Sequence, residues 1–326
     1  MPWLLAADVG GTKTLVGLYD SETHPPTPGD VEQVRTKDFE GLVPLIATFL
    51  KGRETQVSAA CVGVAGPVHK QRARLTNVPW QVSGQELTAH FRLPMVHLLN
   101  DVAAAACALG TLRSDQCETL QAGQPDAIGN KVLVAPGTGL GEALVHQVAN
   151  GLVPVASEAG HADFPARTPR ERELVSVLTA KRGRASLEDV LSGPGLANLF
   201  RFCHGDQSCP AIPASTAADE LPAAVTNEGL SGRCECCAEA LALFVSALGA
   251  EAGNAGLRGF ATGGVFIGGG IAPRILPALR RSGFIDAFRS KAPMDALLRD
   301  MPVAVITEPK AVLLGAAVAA QQLPRL

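Results

Sequence analysis

Apolar positions recur along this chain at two periods, one suited to strands and one to helices. The opening run Trp3-Leu4-Leu5-Ala6-Ala7-Asp8-Val9 is apolar up to Asp8 and reads as a buried strand. Gly10-Gly11-Thr12-Lys13-Thr14 breaks it, and residues 15–20 return as a second strand. Leu42, Leu45, Ile46, Phe49 and Leu50 recur at helical spacing, and residues 59–65 form a strand closed by Gly66-Pro67. Residues 76–80 read as a polar turn and 83–91 as an amphipathic helix. Met95-Val96-His97-Leu98-Leu99 is apolar and of strand length, ends at Asn100-Asp101, and runs straight into an alanine-rich helix.

After a polar passage at 113–130, a candidate domain boundary, the opening repeats itself. Strand 131–135 meets Pro136-Gly137-Thr138-Gly139-Leu140-Gly141 and resumes at 142–146. Two copies of strand, Gly-Thr turn and strand predict a duplicated fold facing itself across a cleft. Residues 171–182 have a helical pattern, and Ser192-Gly193-Pro194-Gly195 predicts a break before a helix at 196–203. A long apolar helix spans 239–255. A third glycine run, Gly263-Gly264-Val265-Phe266-Ile267-Gly268-Gly269-Gly270-Ile271, leads into a helix with Ile275, Leu276 and Leu279. Strand 303–306 and an alanine-rich helix at 310–321 follow, the latter predicted to cover the first sheet. Residues 205–229 carry no firm pattern.

The 326 residues suffice for two domains with proper cores, and 47% hydrophobic with 18% charged residues excludes a disordered chain. Aromatics are only 4%, so the cores must be built from Leu, Val, Ile and Ala. A net charge of −3 without a large basic cluster argues against nucleic acid. Asp8 interrupts the apolar start before an export signal could form, and the apolar stretches 102–109 and 238–248 are too short to span a bilayer. A cytoplasmic protein without a membrane partner is expected. The eight cysteines fit a reducing compartment. Cys234-Glu235-Cys236-Cys237 has no nearby His and no second Cys pair at finger spacing, so ordinary thiols rather than zinc are expected.

Several positions admit two readings. Asp101 can cap the helix that follows it, or stand at a strand end as a base that takes a proton from a substrate hydroxyl. Gly10-Gly11-Thr12 is a plain hairpin turn or a phosphate cradle of close backbone N–H groups. It is neither a P-loop nor a dinucleotide fingerprint, since both place a helix after their glycines. Glu158 and His161, three apart across Gly160, can face one small ligand, although a single His is more often structural. Glu188 can bind a ligand or complete a capping box.

Taken in order, Asp8-Val9-Gly10-Gly11-Thr12, Asn100-Asp101, Gly137-Thr138-Gly139-Leu140-Gly141, Glu158-Ala159-Gly160-His161, Leu191-Ser192-Gly193-Pro194-Gly195-Leu196 and Gly264-Val265-Phe266-Ile267-Gly268-Gly269-Gly270-Ile271 resemble the bacterial glucokinase family, within the actin/hexokinase/heat-shock ATPase superfamily. The resemblance implies an α/β fold of two RNase H-like (actin-like ATPase) domains around an interdomain cleft. The small domain would comprise 1–110 with 311–326, and the large one 111–310. It also implies ATP with Mg²⁺, D-glucose as acceptor, a product feeding glycolysis, and a homodimer.

Carried onto this chain, the resemblance makes Asp101 the catalytic base and Asn100, Glu158, His161 and Glu188 the sugar ligands. Asp8, Gly10, Gly11, Thr12, Gly137 and Thr138 match the phosphate side, with Asp8 holding Mg²⁺ through water. Gly268 and Gly269 match the adenosine seat. Lys13 is closer to the repressor–kinase (ROK) relatives, whose zinc motif follows their Gly-His. No cysteine lies between His161 and Cys203, which points to the zinc-free branch. Ser157 stands where that family commonly has glycine. Rival readings are a kinase for another hexose or amino sugar, a polyphosphate-dependent kinase, a sugar-sensing repressor and a filament-forming ATPase. The repressor needs a helix-turn-helix for which the first strand leaves no room, and the filament leaves Glu158, His161 and Glu188 without a purpose.

Overall fold

The computed structural model describes residues 2–53, 55–75, 78–149 and 151–323. Thr76 and Asn77, two of the five residues of the expected polar turn, lie outside the described residues. The chain forms two compact units, one of Met1–Arg113, Val148–Ala156 and Glu308–Leu326, the other of Ser114–Gln147 and Ser157–Thr307. The segment Val148–Ala156 therefore groups with the first unit, although it lies within the 111–310 stretch.

In the first unit the strands are β1 (Trp3–Val9), β2 (Lys13–Asp20), β3 (Pro28–Arg35), β4 (Val57–Val64), three short ones, β5 (Val68–His69), β6 (Arg72–Arg74) and β7 (Gln81–Ser83), and β8 (Val96–Asn100). Its helices up to residue 113 are α1 (Leu42–Leu50), α2 (Gly84–Phe91) and α3 (Asp101–Cys107). The main sheet runs β3-β2-β1-β4-β8, with β1–β2 antiparallel and β1–β4 and β4–β8 parallel. Parallel strands end on the same edge, so the C-terminal ends of β1, β4 and β8 bring Gly10, Gly66 and Asn100 to one side.

Continuing along the chain, β9 (Cys117–Gln121), β10 (Lys131–Pro136), β11 (Leu140–Val148) and β12 (Gly151–Ser157) precede α4 (Pro169–Arg182), α5 (Gly193–His204), α6 (Leu221–Ser231) and α7 (Glu235–Gly259). Then come β13 (Gly264–Ile267), α8 (Leu276–Leu279), α9 (Ser282–Arg289), α10 (Asp295–Asp300), β14 (Val303–Ile306) and α11 (Ala311–Gln322). The second sheet has the order β12-β11-β10-β13-β14-β9. Its hairpin β10–β11 is antiparallel and β10–β13 and β13–β14 are parallel, which repeats the first sheet's connectivity. The internal duplication expected from two short sequence matches is thus present in the strand order.

Four local expectations change. Strand β9 lies inside the polar passage at 113–130, where it pairs with β14 as an edge strand that needs no apolar run. Helix α5 begins at Gly193, because Ser192 Oγ accepts the Gly195 N–H at 3.0 Å and Pro194 sits in the first turn, where no N–H is needed. Helix α6 occupies part of the featureless 216–229 stretch. Helix α7 is longer than its apolar core, and among the described residues it alone is long and apolar enough to cross a bilayer. Its Phe244, Val245, Leu248 and Ala252 are buried in the second unit's core, so it is a core helix.

Helix α11 covers the first sheet as expected. Leu313, Ala316 and Ala317 pack with Leu4, Ala6 and Cys61 in one apolar cluster. Gly315 does not break α11. A side chain there would collide with the Ala104 carbonyl of α3, so glycine is what lets the two helices touch.

Candidate active site

At the C-terminal edge of the first sheet, Asn100 rather than Asp101 caps α3. The Asn100 Oδ1 accepts the N–H groups of Val102 at 2.9 Å and Ala103 at 3.4 Å, and its Nδ2 donates to the Gly66 carbonyl at 3.2 Å. That leaves one Asn100 amide hydrogen for a ligand. Asp101 is the first helical residue, half-buried, with one carboxylate oxygen also accepting the Val102 N–H at 2.9 Å. Asp8 lies on β1 between Leu15 and Gly63. Burial, and then the negative charge of Asp101, push the Asp8 carboxyl up to about 7.

The β1–β2 turn is a tight hairpin. The Gly10 N–H donates to the Lys13 carbonyl at 3.1 Å, and Thr36 Oγ1 donates to the Gly10 carbonyl at 2.7 Å. Gly11 is half-buried, while Thr12 and Lys13 at the tip are exposed. In the second unit the Gly137 N–H donates to Gly139 at 2.8 Å and the Gly137 carbonyl accepts from Gly193 at 2.8 Å, with Thr138 exposed at the tip. Gly268 extends the β10–β13 pairing by donating to Val134 at 2.9 Å, and Gly269 turns the chain away with φ +72°.

The second unit gathers three predicted residues that are distant in sequence. Glu158 precedes a short 3-10 turn, Ala159–His161, whose Gly160 lies against the Leu140 carbonyl where no Cβ would fit. Backbone bonds from Glu188 N–H to the Gly160 carbonyl (2.8 Å), Leu187 to Ala162 (2.9 Å) and Phe164 to Ala185 (3.0 Å) tie this turn to the segment carrying Glu188. The His161 ring then stands between two carboxylates, its Nε2 4.0 Å from Glu158 Oε2 and its Nδ1 4.0 Å from Glu188 Oε1. These separations are too long for direct hydrogen bonds and of the kind a ligand hydroxyl or a water bridges. Glu158 and His161 are exposed, with side-chain exposures of 67% and 61%, against 34% for Glu188.

Glu188 is not a capping-box residue. Its Oε2 accepts the Leu140 N–H at 2.8 Å, which holds the carboxylate against the β10–β11 turn. Two supports escaped the sequence reading. Gly139 gives the carboxylate room, and Asp189 Oδ2 accepts both the Ser186 N–H (2.9 Å) and Ser186 Oγ–H (2.8 Å), shaping the loop. The Ser-x-x-Asp spacing at 186–189 was a readable turn signal. Below β11, Glu142 on that strand meets Glu251 and Arg258 of α7. Arg258 Nη2 lies 3.3 Å from Glu142 Oε2 and also pairs with Glu251.

The structure also groups residues the sequence reading had kept apart. His204, Cys209, Cys234 and Cys237 bring their ligating atoms within 4.8 Å of one another, so the cysteine cluster does have a histidine and a further cysteine beside it.

A sequence model of the glucokinase family matches residues 5–323. The chain is 37% identical over 316 residues to a glucokinase of Mesorhizobium japonicum, covering 96% of this chain and 90% of that one. It is 36% identical over 346 residues to a glucokinase of Synechocystis, covering 98% of each. Among solved structures, a glucokinase from an Antarctic psychrotroph superposes with a TM-score of 0.87 at 32% identity, over 98% of this chain and 99% of that one. A ROK family glucokinase from Streptomyces griseus, in complex with glucose and AMPPNP, shares the fold at a TM-score of 0.64 and 19% identity, over 98% and 99% of the two chains. Duplicated sheets, glycine hairpins and strand-end carboxylates define a kinase of the actin-like ATPase fold. The chain belongs to the glucokinase family.

Proposed function

We propose that this protein transfers the γ-phosphoryl group of ATP to the 6-hydroxyl of D-glucose, with Asp101 as general base. ATP-dependent phosphorylation of glucose follows from membership of the glucokinase family over nearly the whole chain. The observation that carries the sugar assignment is the Glu158–His161–Glu188 group, three hydrogen-bonding side chains held at distances that hydroxyls can bridge. Paired polar groups of this kind discriminate sharply, since a sugar lacking a hydroxyl leaves one of them unmatched. Asn100 would add its remaining amide hydrogen.

Phosphoryl transfer asks for positioning, charge neutralisation and a proton acceptor rather than covalent help from the protein. In this reading Asp101 hydrogen-bonds the primary hydroxyl and accepts its proton as the bond to phosphorus forms. Because Asn100 already caps α3, the helix does not depend on the Asp101 carboxylate alone. Gly10, Gly11 and Thr12 of one hairpin, and Gly137 and Thr138 of the other, would each supply donors to the phosphates, while Gly268 and Gly269 would offer a flat glycine surface to the adenosine.

The residues present fit Mg²⁺. Asp8 is a hard oxygen donor with a second carboxylate, Asp101, close enough to raise its proton affinity, and a divalent cation relieves that repulsion. Asp8 would hold the ion through its water shell, and the bound ion would neutralise charge on the phosphates. A cytoplasmic homodimer whose product feeds glycolysis belongs to the same proposal, with light scattering after size exclusion testing the dimer. The central test is a product-coupled assay across a panel of hexoses, amino sugars and donors. Glucose with ATP should give the highest kcat/KM; a preference for polyphosphate or an amino sugar would overturn the assignment.

A further inference from the structure

We propose that the second unit contains a structural zinc site formed by His204, Cys209, Cys234 and Cys237, separate from every residue assigned to sugar or nucleotide. Cys209 Sγ lies 3.6 Å from Cys234 Sγ and 4.0 Å from Cys237 Sγ, and Cys234 Sγ lies 3.4 Å from His204 Nε2. A tetrahedron with metal–ligand bonds of about 2.0–2.3 Å has ligand–ligand edges of roughly 3.3–3.8 Å. Two of the three edges fall within that range and the third, Cys209–Cys237, is about 0.2 Å longer, whereas a disulfide would need sulfurs about 2.05 Å apart. All four cysteine and histidine ligand atoms lie within 4.8 Å of one another, so one ion can reach the whole set.

Two further features point to a metal rather than to packed thiols. The His204 ring is buried, and its Nδ1 lies 2.9 Å from the Phe200 carbonyl. That bond takes the Nδ1 hydrogen and leaves the Nε2 lone pair facing the sulfurs, the second-shell arrangement that orients a metal-bound imidazole. Cys234 and Cys237 form a Cys-x-x-Cys at the start of α7, where Cys234 Sγ accepts the Cys237 N–H at 3.5 Å. An N–H donor onto sulfur stabilises a thiolate. Cys236, within the same run, is not among the grouped ligand atoms.

Three thiolates and an imidazole are soft and borderline donors, the set that selects zinc over magnesium or calcium. Binding displaces the three thiol protons to solvent, His204 ligates in its neutral form, and no electron is transferred. Four protein ligands leave no open position, so the role is structural. The ion would tie the end of α5, the irregular 205–220 connection and the start of α7 into one knot. Cys209 is the residue that anchors this connection.

Metal analysis of full-length protein, purified without chelator from zinc-containing medium, should find one zinc ion per chain. Cys209→Ser and His204→Ala should lose most of it, while Cys236→Ser and His161→Ala retain it. Should the ligand variants fold poorly, the wild type answers instead. Stripped, reduced protein refilled with Co²⁺ should show the visible bands of a tetrahedral ion and a near-ultraviolet thiolate charge-transfer band. Substoichiometric zinc together with no tetrahedral cobalt spectrum overturns the proposal. So does a Cys209–Cys234 disulfide in protein alkylated at lysis.

Discussion

A Cβ placed on Gly139 would lie 2.5 Å from Glu188 Oε2, so the carboxylate occupies the space that glycine leaves open. The same oxygen accepts the Leu140 N–H, which makes the turn residue and the carboxylate one unit. Gly139→Ala should therefore push Glu188 aside. Steady-state kinetics should show the KM for glucose raised roughly tenfold or more and that for ATP much less changed. An equal rise in both would show that Glu188 does not serve the sugar.

Asp101 gives the sharpest kinetic contrast. Asp101→Asn keeps a similar shape beside the Val102 N–H but removes the proton acceptor. It should lower kcat by roughly 10²–10⁴-fold while glucose binding, measured by calorimetry, stays close to wild type. Turnover at the wild-type rate would remove Asp101 from the role of base.

Glu158→Gln and His161→Ala act on exposed side chains, so thermal stability should barely move. Their effect should fall on the KM for glucose and on discrimination between glucose and deoxy analogues. Loss of discrimination at the hydroxyl each residue meets is the expected signature. If both variants bind ATP as poorly as glucose, the group belongs to another part of the reaction.

The buried pair Glu142 and Glu251 predicts a pH dependence of stability. Burial first, and then the charge of Glu251, push the Glu142 carboxyl up to about 8, against the opposing pull of Arg258. The folded protein thus keeps a proton that the unfolded chain, near 4.5, gives up. The sign follows: the contribution is complete below about 4.5 and is lost as pH rises to about 8. Glu142→Gln removes the titration, so its Tm relative to wild type should climb between about pH 5 and about pH 9. A constant difference would rule the pair out.

Gly315→Ala tests the α3–α11 contact. The added methyl meets the Ala104 carbonyl, and relief requires the helices to part. Overpacking of this kind costs about 1–3 kcal/mol, read by urea unfolding. Kinetic constants for glucose should change little.

Much of the architecture was legible because it is written in neighbouring residues. Apolar runs, glycine turns and the Asn100-Asp101 strand end are contiguous, and two similar hairpins announced two similar sheets. The edge strand β9 was missed since an exposed edge needs no apolar run, and the Ser192-Gly193-Pro194-Gly195 stretch was misread since Pro194 starts a helix there rather than stopping one.

Residue order alone thus determined the elements, their duplication and the identity of the polar side chains available for chemistry. It could not determine that Glu188 would rest on the turn at Gly139, or that His204 and Cys209 would meet Cys234 across a connection without pattern. Those encounters join positions 25 to 49 residues apart. Their spacing is set by sheet register and helix packing, which depend on the whole core closing at once rather than on any local periodicity.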